Sequence, residues 1–260
     1  MIKAFLFDLD GVFYVKNKLI DGANETIHWL KKNKVKYKFI TNNTTLSRRK
    51  LAIKMKKIGL DVKEEEFISA NYAGVLLIKK MGLKSCRLIL SREGMDDYLQ
   101  FNITNFNPEA IIIGDIGDGW SYDLMNDLMN QILEGSKLIA LHKGRYFQTN
   151  NGLTIDIGAF IAGLEHATET NSIVVGKPNS TFFEMAIQSF SCLSDEIAMI
   201  GDDLINDIQG GNNMGFKTFL VKTGKYRENI FKNSLINPDF CIKSIAVLPN
   251  FIEENNLMFK

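Results

Sequence analysis

Two carboxylates close an apolar run near the start of the chain, in the stretch KAFLFDLDGVFY, and their spacing points to chemistry. In an extended chain successive side chains alternate between faces, so Asp8 and Asp10 share one face while Leu9 points back toward the core. Adjacent anions repel, and either a proton is shared or a cation settles between them. Gly11 lets the backbone turn sharply just after the pair. The same DxDG pattern occurs in calcium loops, but an EF-hand needs further oxygen ligands at fixed offsets and helical flanks; here Val12, Phe13 and Tyr14 follow. A second acidic group, MIGDDLINDI, closes another apolar run and brings Asp202, Asp203 and, one helical turn on, Asp207. Asp203 and Asp207 also suit helix N-terminal capping. If the two strands are neighbours, up to five carboxylates crowd one crevice at their ends, which requires a divalent cation. Oxygen donors with no His or Cys in the motifs favour Mg²⁺ over zinc or copper.

Two further strand ends carry the opposite polarity. FITNNTT places the Thr41 hydroxyl and the amides of Asn42 and Asn43 where an apolar run stops, a nest of donors suited to phosphoryl oxygens and equally to a turn. VVGKPNS places Lys177 after a strand, with Pro178 keeping it out of helical geometry and Asn179 or Ser180 available to cap the helix TFFEMAI. A lone loop lysine is ordinarily solvated; the order of acid pair, hydroxyl, lysine and acid cluster, each at a strand end, gives it another meaning.

Such strand ends need an α/β scaffold. NETIHWLKKN reads as a helix and VKYKFI as the next strand, completing a βαβ unit. SRRKLAIKMKKIG follows as a basic amphipathic helix stopped at Gly59, its cations reading as a solvated face. CRLIL, AIIIGD and KLIAL alternate with helical stretches such as SYDLMNDLMNQILEG, and YFQTNNGLTI reads as a hairpin turning on Asn151-Gly152. IGDIGDGWSYD lacks Walker or Rossmann spacing and reads as a strand-to-helix turn. SIVVG, EIAMIGDD and KTFLV then return to apolar strands separated by helices, as a parallel sheet covered on both faces requires. The 260 residues, 45% of them hydrophobic, suffice for a substantial core. A net charge of +1 gives no global attraction to nucleic acid or an anionic membrane. Cys86, Cys192 and Cys241 lack CxxC spacing and read as unpaired thiols in a reducing, cytoplasmic setting; the N-terminus carries no secretory h-region.

DLDGV, ITNN, GKPN and GDDLIND together resemble the four motifs of haloacid dehalogenase (HAD) superfamily phosphatases, and they span Asp8 to Asp207. The stretches ALHKGRYFQTNNGLTIDIGAF, VVGKPNSTFF and VKTGKYR are similar to the NagD-like class with an α/β (C2-type) cap, and within it to the phospholysine, phosphohistidine and pyrophosphate phosphatases and their hydrolase-domain relatives. That resemblance implies a Rossmann-like core over residues 1–78 and 175–260 and an inserted α/β cap over 79–174. It implies a Mg²⁺-dependent phosphatase with Asp8 as nucleophile, Asp10 as acid and base, and Thr41, Asn42, Asn43 and Lys177 on the phosphoryl oxygens. The metal would be held by Asp8, the Asp10 carbonyl and Asp202, with Asp203 or Asp207 helping directly or through water. In the cap, where many members of the class carry Asn-x-Asp, this chain has His142, Lys143 and Gly144; His142, Lys143, Arg145, Tyr146 and Asp115 are candidate substrate contacts. The expected partner is a small phosphorylated molecule, pyrophosphate and phosphoramidates included, with a homodimer through the cap as a further expectation. A phosphotransferase or phosphomutase, and a binding module without turnover, are the competing functions; the cap type disfavours the first, and a binder has no chemical need for Asp10.

Overall fold

The computed structural model describes residues 1–149 and 152–258. They fall into two compact units, one of residues 1–41, 51–68 and 177–260, the other of residues 42–50 and 69–176. Among the described residues no helix is long and apolar enough to cross a membrane.

The first unit is built on a six-stranded sheet in the order Phe240–Ile242, Lys217–Val221, Ile197–Gly201, Ala4–Phe7, Lys36–Thr41, Phe67–Ser69. Ala4–Phe7 is central because every one of its residues is apolar and buried, the signature of a parallel strand covered on both faces. It pairs in parallel with both neighbours, Phe7 standing opposite Ile200 on one side and Phe39 on the other. The chain therefore leaves all three strands at one edge, and the Asp8 N–H still donates to the Ile200 carbonyl at 2.9 Å. Phe7, Phe13 and Phe39 pack in edge-on and tilted contacts at 5.2–6.3 Å, with Phe67 5.2 Å from Phe39. Burying each such ring stabilises the fold by about 1.5–3 kcal/mol relative to exposure, which holds rigid the strand that carries Asp8. Helix Ala23–Lys32 buries Thr26, Ile27 and Leu30, and the Thr26 hydroxyl donates to the Ile245 carbonyl.

The second unit carries a five-stranded parallel sheet in the order Ile173–Val174, Lys137–Ala140, Ala110–Ile113, Ser85–Ile89, Asn102–Ile103. Helices Tyr122–Leu133 and Ile157–Thr168 bury Leu128, Ile132, Ile161 and Leu164 against it. Gly117–Gly119 is a short 3₁₀ turn leading from strand to helix, as IGDIGDGWSYD suggests. Strands Tyr146–Thr149 and Gly152–Ile155 pair antiparallel; of the turn expected between them, Asn151 lies outside the described residues. One grouping differs from the sequence expectation. SIVVG does not return to the first sheet, because Ile173 and Val174 pair with Ile139 and Ala140 and the Gly176 N–H donates to the Leu141 carbonyl. An apolar run this short carries no mark of which sheet receives it. Helix Ala70–Lys80, which spans the expected boundary at residue 78, lies wholly in the second unit.

Candidate active site

Asp8 follows the central strand directly and Asp202 follows the adjacent strand Ile197–Gly201, so parallel pairing alone delivers both carboxylates to one sheet edge. Asp207 joins them from the next turn. Single oxygens of Asp8, Asp202 and Asp207 lie within 4.8 Å of one another, and all three residues are buried. Lys177 closes the group: its ammonium donates to Asp8 Oδ1 at 2.7 Å and Asp207 Oδ1 at 2.6 Å, and the residue is 4% exposed. The peptide bond after it, to Pro178, is cis. Asn179 accepts the Thr181 N–H and starts helix Ser180–Ile187, so the loop that carries Lys177 is anchored immediately behind it.

Three carboxylates around one ammonium leave an excess of buried negative charge. Burial, then repulsion by Asp8 and Asp207, pushes Asp202 up to about 8. Burial, then Asp8 and Asp203, pushes Asp207 up to about 7 against the pull of Lys177. The rise at Asp202 has the firmer geometric basis: its Oδ1 is buried without a hydrogen-bond partner, whereas both oxygens of Asp207 accept bonds, from Lys177 Nζ and the Asp203 N–H. Burial alone would lower Lys177, but Asp207 and Asp8 hold it above the ordinary lysine value, so it stays an ammonium. An unpartnered carboxylate oxygen beside two further carboxylates, with no His or Cys in the group, fits a hard divalent cation.

Residues 204–209 form one wide π-helical turn rather than the α-turn expected for Asp207. Asp203 caps it, Oδ1 accepting the N–H groups of Ile205 and Asn206 at 3.0 Å each, while Oδ2 accepts from Asn206 Nδ2 and from Lys225 Nζ at 2.9 Å. Burial would raise Asp203, but the Lys225 charge and these bonds bring it down to about 2. The structure thus brings Asp8, Asp202 and Asp207 together and gives Asp203 to capping. Gly201, the last residue of the strand, leaves room for Asp207, whose side chain a Cβ there would overlap.

Asp10 stands outside the three-carboxylate group, solvent-exposed, bridged to Tyr14 and followed by a turn in which the Gly11 N–H donates to the Tyr14 carbonyl. Although the residue as a whole is exposed, its surroundings partly desolvate the carboxyl, and this, then the Asp8 charge, raises its pKa above the ordinary carboxylate value. Thr41 is buried at the end of its strand, and the carbonyl of the preceding Ile40 lies 3.5 Å from Lys177 Nζ. Asn42 and Asn43 group with the second unit, where Asn43 Oδ1 accepts the Leu46 N–H. In that unit His142 Nδ1 accepts the Gly144 N–H at 3.1 Å, Lys143 pairs with Glu165 at 2.7 Å, and the Arg145 guanidinium lies 5.9 Å from the Tyr146 ring centre. Asp115 Oδ1 accepts the Gly117 N–H and shapes the turn. Sequence reasoning assigned no role to Thr223, Gly224 and Lys225, which sit beside Asp202; the available signal was a Thr-Gly-Lys run one residue beyond the apolar strand KTFLV.

The chain resembles known proteins over most of its length. Residues 5–102 match the family model described as haloacid dehalogenase-like hydrolase, and residues 174–248 match the HAD-hydrolase-like model. The chain is 36% identical over 227 residues to haloacid dehalogenase-like hydrolase domain-containing protein 2 of Rattus norvegicus, covering 87% of this chain and 86% of that protein. It is 31% identical over 251 residues to the phospholysine phosphohistidine inorganic pyrophosphate phosphatase of Homo sapiens, covering 94% and 92%. Among solved structures it superposes on NagD from E. coli K-12 with a TM-score of 0.85 at 25% identity, over 94% of this chain and 97% of that one.

Proposed function

This chain belongs to the haloacid dehalogenase-like hydrolase family, as one of its phosphatases, and on that premise we propose that it is a Mg²⁺-dependent phosphatase of small phosphorylated molecules that works through an aspartyl-phosphate on Asp8. The observation that carries this is the buried Lys177 ammonium between Asp8 and Asp207, beside an Asp202 oxygen with no partner. It supplies fixed positive charge, and a place for more, where a phosphoryl group would meet a carboxylate.

In the first half-reaction an Asp8 oxygen attacks phosphorus, the bond from phosphorus to the leaving atom breaks, and Asp10 gives that atom its proton. In the second, Asp10, now a carboxylate, takes a proton from water, the water oxygen attacks phosphorus, and the bond to Asp8 breaks, freeing phosphate and restoring both acids. The raised pKa of Asp10 favours the protonated form that the first step needs. Lys177 and Thr41 hold phosphoryl oxygens, and Lys177 also reduces the repulsion between Asp8 and an anionic substrate. Asp8, Asp202 and the Asp10 carbonyl would hold Mg²⁺, with Asp207 directly or through water, and the cation would supply positive charge against the transferring phosphoryl group. Asn42 and Asn43 follow Thr41 in the same family motif and share its proposed role. His142, Lys143, Arg145 and Tyr146 are the proposed contacts to the leaving group. The candidate substrates are phosphomonoesters, pyrophosphate and phosphoramidates; a cytoplasmic setting and a homodimer through the second unit complete the proposal.

The test is phosphate release from para-nitrophenyl phosphate, nucleoside and sugar phosphates, pyrophosphate and phosphoramidates, with Mg²⁺ or EDTA, beside Asp8→Asn. Turnover that needs the cation and falls by at least about a thousandfold in the variant is expected, the scale set by loss of a covalent nucleophile. Undiminished turnover in Asp8→Asn would sink the proposal.

A further inference from the structure

Asp202 is held by a segment to which no motif assigns a role. The loop after strand Lys217–Val221 reaches across to it, and the Lys225 backbone N–H donates to Asp202 Oδ2 at 2.6 Å. Two glycines close on the same oxygen. A Cβ at Gly11 or at Gly224 would overlap Asp202 Oδ2, and one at Gly224 would also meet the Gly11 Cα. Both adopt positive φ, +85° and +60°, so neither the space nor the backbone admits another residue without strain. The Thr223 hydroxyl donates to the Gly11 carbonyl in a short bond, tying this loop to the turn that carries Asp10. The Lys225 ammonium pairs with Asp203 Oδ2 at 2.9 Å and so engages the one neighbouring carboxylate outside the cluster that is nearest in sequence to Asp202. With Oδ2 enclosed in this way, Oδ1 is the oxygen of Asp202 left buried and without a partner.

We propose that Thr223, Gly224 and Lys225 are positioning residues that fix the Asp202 carboxylate in one orientation and present Oδ1 alone to a divalent cation. This rests on the reading of Asp8, Asp202 and Asp207 as the cation site. Outer partners that orient a metal ligand typically change affinity ten- to a hundredfold when removed.

The experiment is Mn²⁺ binding to EDTA-stripped full-length protein, followed by electron paramagnetic resonance, with thermal unfolding in EDTA as the control. Thr223→Val keeps the side-chain bulk and removes the hydroxyl; Thr223→Ser keeps the hydroxyl; Gly224→Ala fills the space beside Oδ2. Mn²⁺ affinity is expected to fall about tenfold in Thr223→Val and at least as far in Gly224→Ala, with Thr223→Ser near wild type. The Mg²⁺ concentration that half-saturates phosphate release should rise by the same factor, while KM for para-nitrophenyl phosphate at saturating Mg²⁺ stays put. Should Gly224→Ala fail to fold, the Thr223 pair decides alone. A folded Thr223→Val that binds Mn²⁺ like wild type overturns the positioning role and leaves the cation site standing. Wild-type protein that binds no Mn²⁺ overturns the cation site, and the positioning role with it.

Discussion

Replacing Lys177 by Met removes the ammonium and keeps most of the stem. Wild-type Lys177 is 4% exposed and bonded to two carboxylates at 2.7 and 2.6 Å, so its loss leaves buried Asp8 and Asp207 without their shared counter-charge. Breaking a buried ion pair from one side costs about 3–5 kcal/mol, far more than the pair itself contributes, because the remaining charge stays desolvated. That is the loss expected in EDTA at pH 7.5. The sign with pH follows from Asp207, already raised by burial. Without Lys177 it rises further; an acid raised in the folded state loses stability as pH climbs from its unfolded pKa to its folded one, so wild type and variant lose it alike up to about pH 7 and the variant goes on losing it above. The part of the loss that comes from Asp207 is therefore small near pH 5 and grows as pH rises past 7. Divalent cation acts in the same direction as acid: Lys177 repels it, so the variant binds it more tightly, and each tenfold gain returns about 1.4 kcal/mol. The assay is urea unfolding in a Trp120→Phe background, in which Trp29, packed edge-on to Phe5 in the first unit, is the remaining tryptophan. A loss below about 1 kcal/mol, equal at pH 5 and pH 8 and indifferent to Mg²⁺, is what an exposed pair would give and would refute the reasoning.

Because burial and like charge push Asp202 up to about 8, the cation-free site carries a proton at pH 6 that an incoming cation must displace. Counting that proton alone, affinity for Mg²⁺ or Mn²⁺ rises about a hundredfold from pH 6 to pH 9, and calorimetry in buffers of different ionisation enthalpy detects close to one proton released per cation at pH 7; affinity flat across that range would contradict the assignment. The same raised pKa makes the metal-free protein lose stability as pH climbs from the ordinary carboxylate range toward 8, a decline that saturating Mg²⁺ removes. Gly201→Ala places a methyl group where the Asp207 side chain lies, and should cost about 1–3 kcal/mol by overpacking together with weakened Mn²⁺ binding, measured by thermal unfolding and resonance titration; unchanged binding would show that Asp207 has room to move.

The strand ends were legible because burial leaves a plain mark: AFLF and IAMIG are apolar throughout, and an acid directly after such a run has few structural reasons to be there. Asn179 as a cap and Gly59 as a helix stop, with φ of +93°, follow from local chemistry and stand as expected. Lys177 was legible as a site residue but not as a buried one, since its partners lie 169 and 30 positions away and no local pattern records them. Asp203 and Asp207 looked interchangeable in sequence; the π-turn and the Lys225 ammonium separate them, and Lys225 follows a strand that pairs with Ile197–Gly201 only in the folded sheet. SIVVG reads in composition like the strands of the first sheet, whereas the cap range expected to end at 174 takes in Ile173 and Val174, and only their pairing decides between the two. Edge pairing is decided by the partner strand, not by the composition of the run.

The parallel pairing of Phe7 with Ile200 has a consequence during synthesis. Positions 8 and 202 are 194 residues apart, so the ribosome, adding about 5–20 residues per second, needs about 10–40 s after making Asp8 before Asp202 exists. Through that interval the AFLF strand lacks the neighbour that will cover one of its hydrogen-bonding edges, a state in which unpaired strands recruit other chains. The nascent N-terminal segment, not the finished enzyme, is then the species most exposed to aggregation, and slow translation of residues 69–176 should depend on chaperones more than fast translation does.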